Sequence, residues 1–123
     1  MIKAENIHLS YGDVDVLKGV DLEISKGEII SIVGASGAGK TTLLHILGTL
    51  EQADKGKYSI NGESISELSS NKLSQFRNLE IGFIFQFHNL LVEFSAFENI
   101  CLPGYISGRN KKEVEKEATK LLE

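Results

Sequence analysis

The stretch GASGAGKTT, Gly34 to Thr42, joins a mostly apolar run to a leucine-rich segment. It contains the full pattern G-x-x-x-x-G-K-[ST], which is specific when a strand precedes it and a helix follows. The preceding run EIISIV (28–33) has the composition of a strand buried on both faces of a sheet. The leucines that follow have three- and four-residue spacing and predict a helix over about 39–50 with an apolar stripe facing the sheet, formed by Leu43, Leu44, Leu47 and Leu50. The stretch therefore predicts a phosphate-binding loop.

Each part of this loop has a physical role. Glycines permit left-handed turns and close approach, so that successive N–H groups converge on phosphate oxygens. The N-terminus of the helix adds its partial positive charge. A glycine-rich turn without a ligand is the alternative, and the complete motif in its context argues against it. The predicted nucleotide-binding residues of the loop are Gly34, Ala35, Ser36, Gly37, Ala38, Gly39, Lys40, Thr41 and Thr42.

Three side chains at the end of the loop carry most of the expected chemistry. Lys40 brings a positive charge to the terminal phosphates and is a candidate catalytic residue as well as a ligand. The Thr41 hydroxyl is placed to ligate Mg²⁺, a hard cation that prefers oxygen. Thr42 can hydrogen-bond the next phosphate inward. The motif thus predicts a nucleotide phosphate chain with Mg²⁺.

Composition and charge narrow the class of protein. The 123 residues have the size of one domain, and the apolar (41%) and charged (24%) fractions are those of an ordinary globular protein. No segment approaches the ~18 uninterrupted apolar residues of a membrane span. A net charge of −4 without a basic patch argues against a nucleic acid partner. A single cysteine and an N-terminus without a signal-like apolar core favour the cytoplasm.

The remaining patterns predict strands and helices on both sides of the loop. Residues 2–13 and 20–24 have the pattern of antiparallel strands, and Asn61-Gly62 is a strong hairpin signal. IGFIFQ (81–86) predicts a further buried strand. Two helices are expected, a short polar one in NKLSQFRN (71–78) and an amphipathic one in 111–123, whose apolar positions are Val114, Ala118, Leu121 and Leu122.

Several polar residues receive no catalytic role. His8, His45 and His88 have no metal-ligand spacing, and each is expected to be an ordinary surface or half-buried histidine. Glu98 is expected to be structural, and Cys101 to be a small buried apolar residue.

The order of SYGD (10–13), VLKGVDLEISKGE (16–28), GASGAGKTTLLHIL (34–47) and IGFIFQFHNLL (81–91) resembles the ATP-binding subunit of ABC transporters. Within that family, residues 77–103 are most similar to the ATPases of lipoprotein-releasing transporters, which extract lipoproteins from the bacterial inner membrane. The resemblance implies an α/β fold of the P-loop NTPase, ABC ATPase type. Its mixed sheet has antiparallel N-terminal strands and a central strand leading into the phosphate loop. The implied ligands are ATP and Mg²⁺.

The same resemblance assigns further residues and partners. Tyr11 is expected to stack on the adenine, with Val16 lining the same pocket. Gln86 matches the glutamine that reaches Mg²⁺ or the attacking water, which makes it a candidate catalytic and metal-binding residue. The region from Gln86 to Glu98 is expected to contact a membrane-spanning subunit. The full-length protein is expected to be a homodimer, peripheral on the inner face of the membrane.

Some of the family's motifs are absent from these 123 residues: an LSGGQ-like signature, an apolar strand ending in Asp-Glu, and a later histidine. The chain is therefore expected to be the N-terminal part of one truncated ABC ATPase domain. About 1–86 would be the nucleotide-binding core, and about 87–123 the start of a helical subdomain. It is expected to bind ATP without hydrolysing it. The alternatives are an ABC-type ATPase outside transport and a half-domain with no formed nucleotide site.

Overall fold

The computed structural model describes all residues from Met1 to Glu123. The chain forms two compact units, Met1–Leu73 and Ser74–Glu123. The expected division at about residue 86 stays a prediction. No helix has both the length and the apolar character needed to cross a bilayer, and the longest, at the C-terminal end of the chain, has 12 residues.

The first unit is built on a sheet of strands β1 (Ile2–Tyr11), β2 (Val14–Ile24), β3 (Lys55–Ile60) and β4 (Glu63–Ser64). Their order in the sheet is β2-β1-β3-β4, and all pairs are antiparallel. Helix α1 (Lys40–Leu47) follows the phosphate loop, and a short 3-10 helix (Ile65–Glu67) follows β4. The antiparallel N-terminal strands are confirmed.

An irregularity at Asn6 decides which residues of β1 are buried. Asn6 has a left-handed φ of 53°, and the register with β2 shifts between Ala4 and Ile7. An extra residue in a strand resets the alternation of its side chains. Ala4, Ile7 and Leu9 are therefore all buried. This bulge keeps the apolar side chains of β1 in the core.

Helix α1 contributes the other side of that core, but not with the stripe that leucine spacing predicts. Leu43 and Leu47 are buried as expected, whereas Leu44 and Leu50 are 51% and 42% exposed. Ile46, outside the predicted stripe, is 2% exposed. The Tyr58 hydroxyl of β3 donates a hydrogen bond to the Leu47 carbonyl at the end of α1.

The predicted hairpin is confirmed. Asn61 and Gly62 both have positive φ, 50° and 84°, and Ile60 pairs with Glu63 across the two-residue turn. Positive φ at both central residues is the property of a type I′ turn, whose twist matches that of the flanking strands.

The second unit contains helices α2 (Ser70–Glu80, which begins in the first unit), α3 (Ala96–Ile106) and α4 (Lys111–Leu122). Helix α2 is polar and has no buried residue, as predicted. Cys101 of α3 is buried with Val114 and Ala118 of α4, as predicted, but Leu121 is 76% exposed.

Helix α3 begins with a capping box. The Ser95 hydroxyl accepts a hydrogen bond from the Glu98 N–H, and the Glu98 carboxylate accepts one from the Ser95 N–H. The Ser95 hydroxyl also donates to the Glu98 carboxylate, and this bond, together with that from the Ser95 N–H, holds the pKa of Glu98 below its ordinary value. The expected structural role of Glu98 is thus confirmed.

Two predicted strands are absent. Residues 28–33 and 81–86 pair with no other segment of the chain. Ile29 and Val33 are 96% and 87% exposed, and Ile84 is fully exposed. Their composition favours a buried strand, but a strand also requires a neighbour that accepts and donates its ladder hydrogen bonds. The predictions of strands at these two places were therefore wrong for this chain.

The exposed segment 28–33 predicts self-association. Unpaired backbone groups beside exposed apolar side chains favour pairing with another chain. Sedimentation at micromolar concentration is expected to show dimers or larger species, and a variant with both Ile29→Lys and Val33→Lys should shift them towards monomer. If the unaltered protein is strictly monomeric and binds no hydrophobic dye, this prediction is wrong.

Candidate functional site

The phosphate loop is a tight turn whose shape depends on two glycines. Gly37 and Gly39 have left-handed φ values of 79° and 83°. A Cβ on Gly39 would lie 3.0 Å from side-chain atoms of both Val16 and Leu17. Gly39 therefore allows the loop to lie directly against strand β2, where a larger residue would push it away.

Helix α1 starts at the end of this loop with a free N-terminus. Its N-cap is Gly39, which offers no side chain to hydrogen-bond the first N–H groups of the helix. Those groups, together with the partial positive charge of the helix end, favour an anion at this position. The loop and the helix thus provide converging donors of the kind that hold phosphate.

Lys40 lies folded over the loop. Its Nζ donates hydrogen bonds to the Gly34 carbonyl at 2.9 Å and to the Ala35 carbonyl at 2.7 Å. The Ala35 carbonyl also accepts from the Ala38 N–H at 3.2 Å, which closes the turn. The ammonium group is therefore held at the loop by neutral acceptors that an anion can replace.

Strand residues complete the site. A shallow pocket of about 360 Å³ lies between the end of β1, the start of β2 and the phosphate loop. All its lining residues belong to the set expected from sequence to bind nucleotide, and they are Tyr11, Val16, Ser36, Gly37, Gly39, Lys40, Thr41 and Thr42. The structure thus brings together residues that are up to 31 positions apart, from Tyr11 to Thr42.

The donor set around Thr41 fits the expected cation. Thr41 lies in the first turn of α1 and its side chain is exposed. No three or more histidine, cysteine or carboxylate side chains are grouped so that they could hold a metal ion. Mg²⁺ commonly uses few protein ligands and takes its other oxygens from phosphates and water. A single hydroxyl beside a phosphate loop fits that mode of binding.

Gln86 belongs to the second unit. It is exposed and follows the irregular residues 81–85, in which Phe83 and Phe85 stack with ring centroids 5.1 Å apart. Its role at the metal or at the attacking water stays a prediction.

In the same unit, an open groove of about 350 Å³ is lined mainly by apolar side chains of the loop 89–91 and of α3.

Sequence reasoning missed Glu51. The Tyr11 hydroxyl donates a hydrogen bond to Glu51 Oε2 at 3.1 Å, although the two residues are 40 positions apart. No motif or spacing links them, because the contact depends on where the chain returns after α1.

A separate cavity of about 290 Å³ lies beyond this loop, lined in part by Thr49, Tyr58 and Ser66. It contains neither the glycine loop nor Lys40 and is not the predicted site.

Comparison with known proteins supports the family expected from the sequence. Residues 17–123 match the family described as "ABC transporter". The chain is 55% identical over 122 residues to the lipoprotein-releasing system ATP-binding protein LolD of Porphyromonas gingivalis, covering 99% of the chain and 56% of that protein. The corresponding protein of Cytophaga hutchinsonii is 57% identical over 122 residues, with 99% and 56% covered. The chain therefore spans about half the length of these relatives.

Solved structures show the same fold. A dimeric ATP-binding cassette in a post-hydrolysis state, bound to ADP and Pi, matches with a TM-score of 0.86 and 35% identity, covering 98% of this chain and 55% of that one. A dimeric bacterial ABC transporter cassette matches with a TM-score of 0.88 and 36% identity, with 98% and 55% covered. The predicted α/β fold of the ABC ATPase type is confirmed, but the sheet is antiparallel throughout rather than mixed, and the central strand expected before the phosphate loop does not form. The chain belongs to the ABC transporter family.

Proposed function

We propose that this chain binds Mg-ATP in the pocket between β1, β2 and the phosphate loop. The observation that carries the proposal is the convergence of Tyr11 and Val16 with six residues of the loop, between Ser36 and Thr42, around one pocket. A flat apolar surface beside a phosphate cradle suits a base joined to a triphosphate. Calorimetric titration with Mg-ATP tests it, and the absence of saturable binding by the folded protein would overturn it.

Each residue then has a distinct task. The N–H groups from Gly34 to Gly39 and the end of α1 hold the phosphates. Lys40 leaves the loop carbonyls to bind the terminal phosphates, and Thr41 ligates Mg²⁺. Mg²⁺, when bound, neutralises phosphate charge during phosphoryl transfer. Gln86 is proposed to act at the metal or at the attacking water.

The whole protein is proposed to couple ATP hydrolysis to lipoprotein release from the bacterial inner membrane. The support is the identity to proteins named as lipoprotein-releasing system ATP-binding proteins. Dimerisation of the full-length protein is supported by the dimeric solved cassettes. The protein would then act at the inner face of the membrane.

Residues 86–98 are the proposed contact with a membrane-spanning subunit. Several large apolar side chains of this segment are exposed, which is unusual for a surface that meets only water. They are Phe87 (72%), Leu90 (60%), Leu91 (48%) and Val92 (89%). The apolar groove beside residues 89–91 could receive part of that subunit.

These 123 residues by themselves are expected not to hydrolyse ATP at an appreciable rate. Hydrolysis requires a positioned water and charge stabilisation in addition to a phosphate cradle. The sequence contains neither the signature motif nor the Asp-Glu strand of the family. Phosphate release can be followed under steady-state conditions. Turnover typical of full-length relatives that is abolished by Lys40→Ala would contradict the expectation.

A further inference from the structure

A carboxylate lies against the residue expected to stack on the base. The Tyr11 hydroxyl, at the end of β1, donates to Glu51 Oε2 at 3.1 Å. Burial and the hydrogen bond to Glu51 raise the pKa of Tyr11, in that order of effect, while a hydrogen bond with Thr42 lowers it. The phenol is therefore protonated at neutral pH and acts as the donor to Glu51.

The backbone at Leu50 and Glu51 is held in place. The Glu51 N–H donates to the His45 carbonyl at 3.2 Å, and the Leu50 N–H donates to the same carbonyl at 2.8 Å. These hydrogen bonds fix the residue to the C-terminal turn of α1. Since α1 also carries Lys40 at its N-terminal end, the carboxylate and the phosphate loop are attached to the same rigid element.

The loop containing Glu51 is also tied to β1. Asp54 accepts a hydrogen bond from the Ser10 N–H at 2.8 Å, and the Asp54 N–H donates to the His8 carbonyl at 2.9 Å. Three hydrogen bonds, counting that of Tyr11, thus join residues 51–54 to the last residues of this strand. The position of Glu51 is set by the fold and does not depend on the flexibility of a free loop.

Besides Glu51, the tyrosine side chain has a hydrogen bond with Thr42, but much of the ring faces solvent. Tyr11 is 49% exposed, and its strand neighbour across the turn is Val14, itself 64% exposed. A half-exposed side chain that must adopt one orientation on binding loses conformational freedom, which reduces affinity. A hydrogen bond that fixes the orientation beforehand lowers that loss.

We propose that Glu51 is a positioning residue for nucleotide binding, which holds the Tyr11 ring in the orientation that receives the base. The proposal rests on the proposed function of the pocket. Glu51 touches neither base nor phosphate in this scheme, and it acts only through Tyr11. Its removal is therefore expected to weaken recognition of the base and to leave recognition of the phosphates largely unchanged.

The test compares Mg-ATP with inorganic tripolyphosphate, which has phosphates but no base. For the unaltered protein and each variant, the ratio of the two dissociation constants is measured by calorimetry. Glu51→Ala is expected to weaken ATP binding roughly two- to tenfold relative to tripolyphosphate. Glu51→Gln keeps a hydrogen-bond acceptor and should retain the ratio of the unaltered protein. Using a ratio cancels the general effect of removing a negative charge near phosphate.

Two further variants complete the experiment. Glu5→Ala removes a carboxylate from the same strand as Tyr11, where it pairs only with Lys3 at 2.8 Å, and should leave the ratio unchanged. Tyr11→Phe keeps the ring and removes the hydroxyl with its hydrogen bonds to Glu51 and Thr42, so its effect on the ratio should be at least that of Glu51→Ala. The double variant should be no weaker than Tyr11→Phe alone, because Tyr11→Phe already removes the hydrogen bond to Glu51. If Glu51→Ala fails to fold, Tyr11→Phe carries the test.

An unchanged or increased preference for ATP in Glu51→Ala or Tyr11→Phe would overturn the positioning role while leaving the proposed function intact. A Glu51→Gln variant whose ratio changes as much as that of Glu51→Ala would likewise overturn it, since a hydrogen-bond acceptor at this position would then not restore the orientation of the ring. If the unaltered, folded protein binds neither ligand, the proposed function fails and this inference fails with it. If it binds tripolyphosphate but not ATP, phosphate binding stands, and the assignment of a base site with its positioning residue is wrong.

Discussion

Lys40→Ala is expected to weaken ATP binding tenfold to a hundredfold or more. A hydrogen bond to a charged group contributes about 1.5 to 3 kcal/mol, and each 1.4 kcal/mol corresponds to a tenfold change in affinity. The Lys40 ammonium group already lies at the loop, 2.7 and 2.9 Å from the two carbonyl oxygens. It therefore needs only to exchange acceptors to reach a phosphate. Calorimetric titration of both proteins with Mg-ATP measures the difference.

A charge-matched control separates this effect from a general loss of positive charge. Lys57 is exposed on β3 and does not line the pocket. Lys57→Ala is expected to bind ATP as the unaltered protein does. If the folded Lys40→Ala variant and the unaltered protein bind Mg-ATP with equal affinity, the assignment of Lys40 as a phosphate ligand is wrong.

Gly56→Ala is expected to lower the free energy of unfolding by about 2 to 4 kcal/mol. Gly56 has a φ of 110°, and a Cβ there would lie 2.5 Å from the Asn6 carbonyl oxygen and 2.7 Å from that of Glu5. Both atoms belong to the backbone of the neighbouring strand, at the bulge in β1. The added methyl group can be accommodated only if β1 and β3 move apart. Urea unfolding followed by circular dichroism measures the loss.

Gly62→Ala provides the matched control. Gly62 also has a positive φ, 84°, but a Cβ there meets no atom within 4 Å. Its substitution introduces the left-handed strain without the collision, so about 1 to 2 kcal/mol is expected. If both variants unfold at the same urea concentration, the collision expected at position 56 costs no stability and the expectation for Gly56→Ala is wrong.

Local signals predicted the elements whose interactions are local. The phosphate loop depends on glycines, a lysine and a helix start within nine residues, and six of the nine predicted loop residues line one pocket, all but Gly34, Ala35 and Ala38. The hairpin at Asn61-Gly62 depends on two backbone conformations that these residues adopt readily. The polar helix α2 and the amphipathic helix α4 follow from side-chain periodicity alone.

Features that depend on residues distant in the sequence were predicted wrongly or were not predicted at all. Leucine spacing predicted the wrong face of α1 in part, since Ile46 is buried and Leu44 is half exposed. The irregularity at Asn6, which decides the buried side of β1, has no clear signature in the sequence. The clash that requires glycine at position 56 involves a strand 50 positions earlier, at Asn6.

The sequence by itself therefore predicted the chemistry: a phosphate loop with its lysine and threonines and, through the family resemblance, a tyrosine for the base. Only the tertiary structure decided which of the predicted strands form and which carboxylate meets that tyrosine. The physical reason is the range of the interactions. Turn conformations, helix starts and charges depend on adjacent residues. A strand exists only when another segment completes its hydrogen bonds, and the contact between Tyr11 and Glu51 exists only after the chain has folded back beside β1.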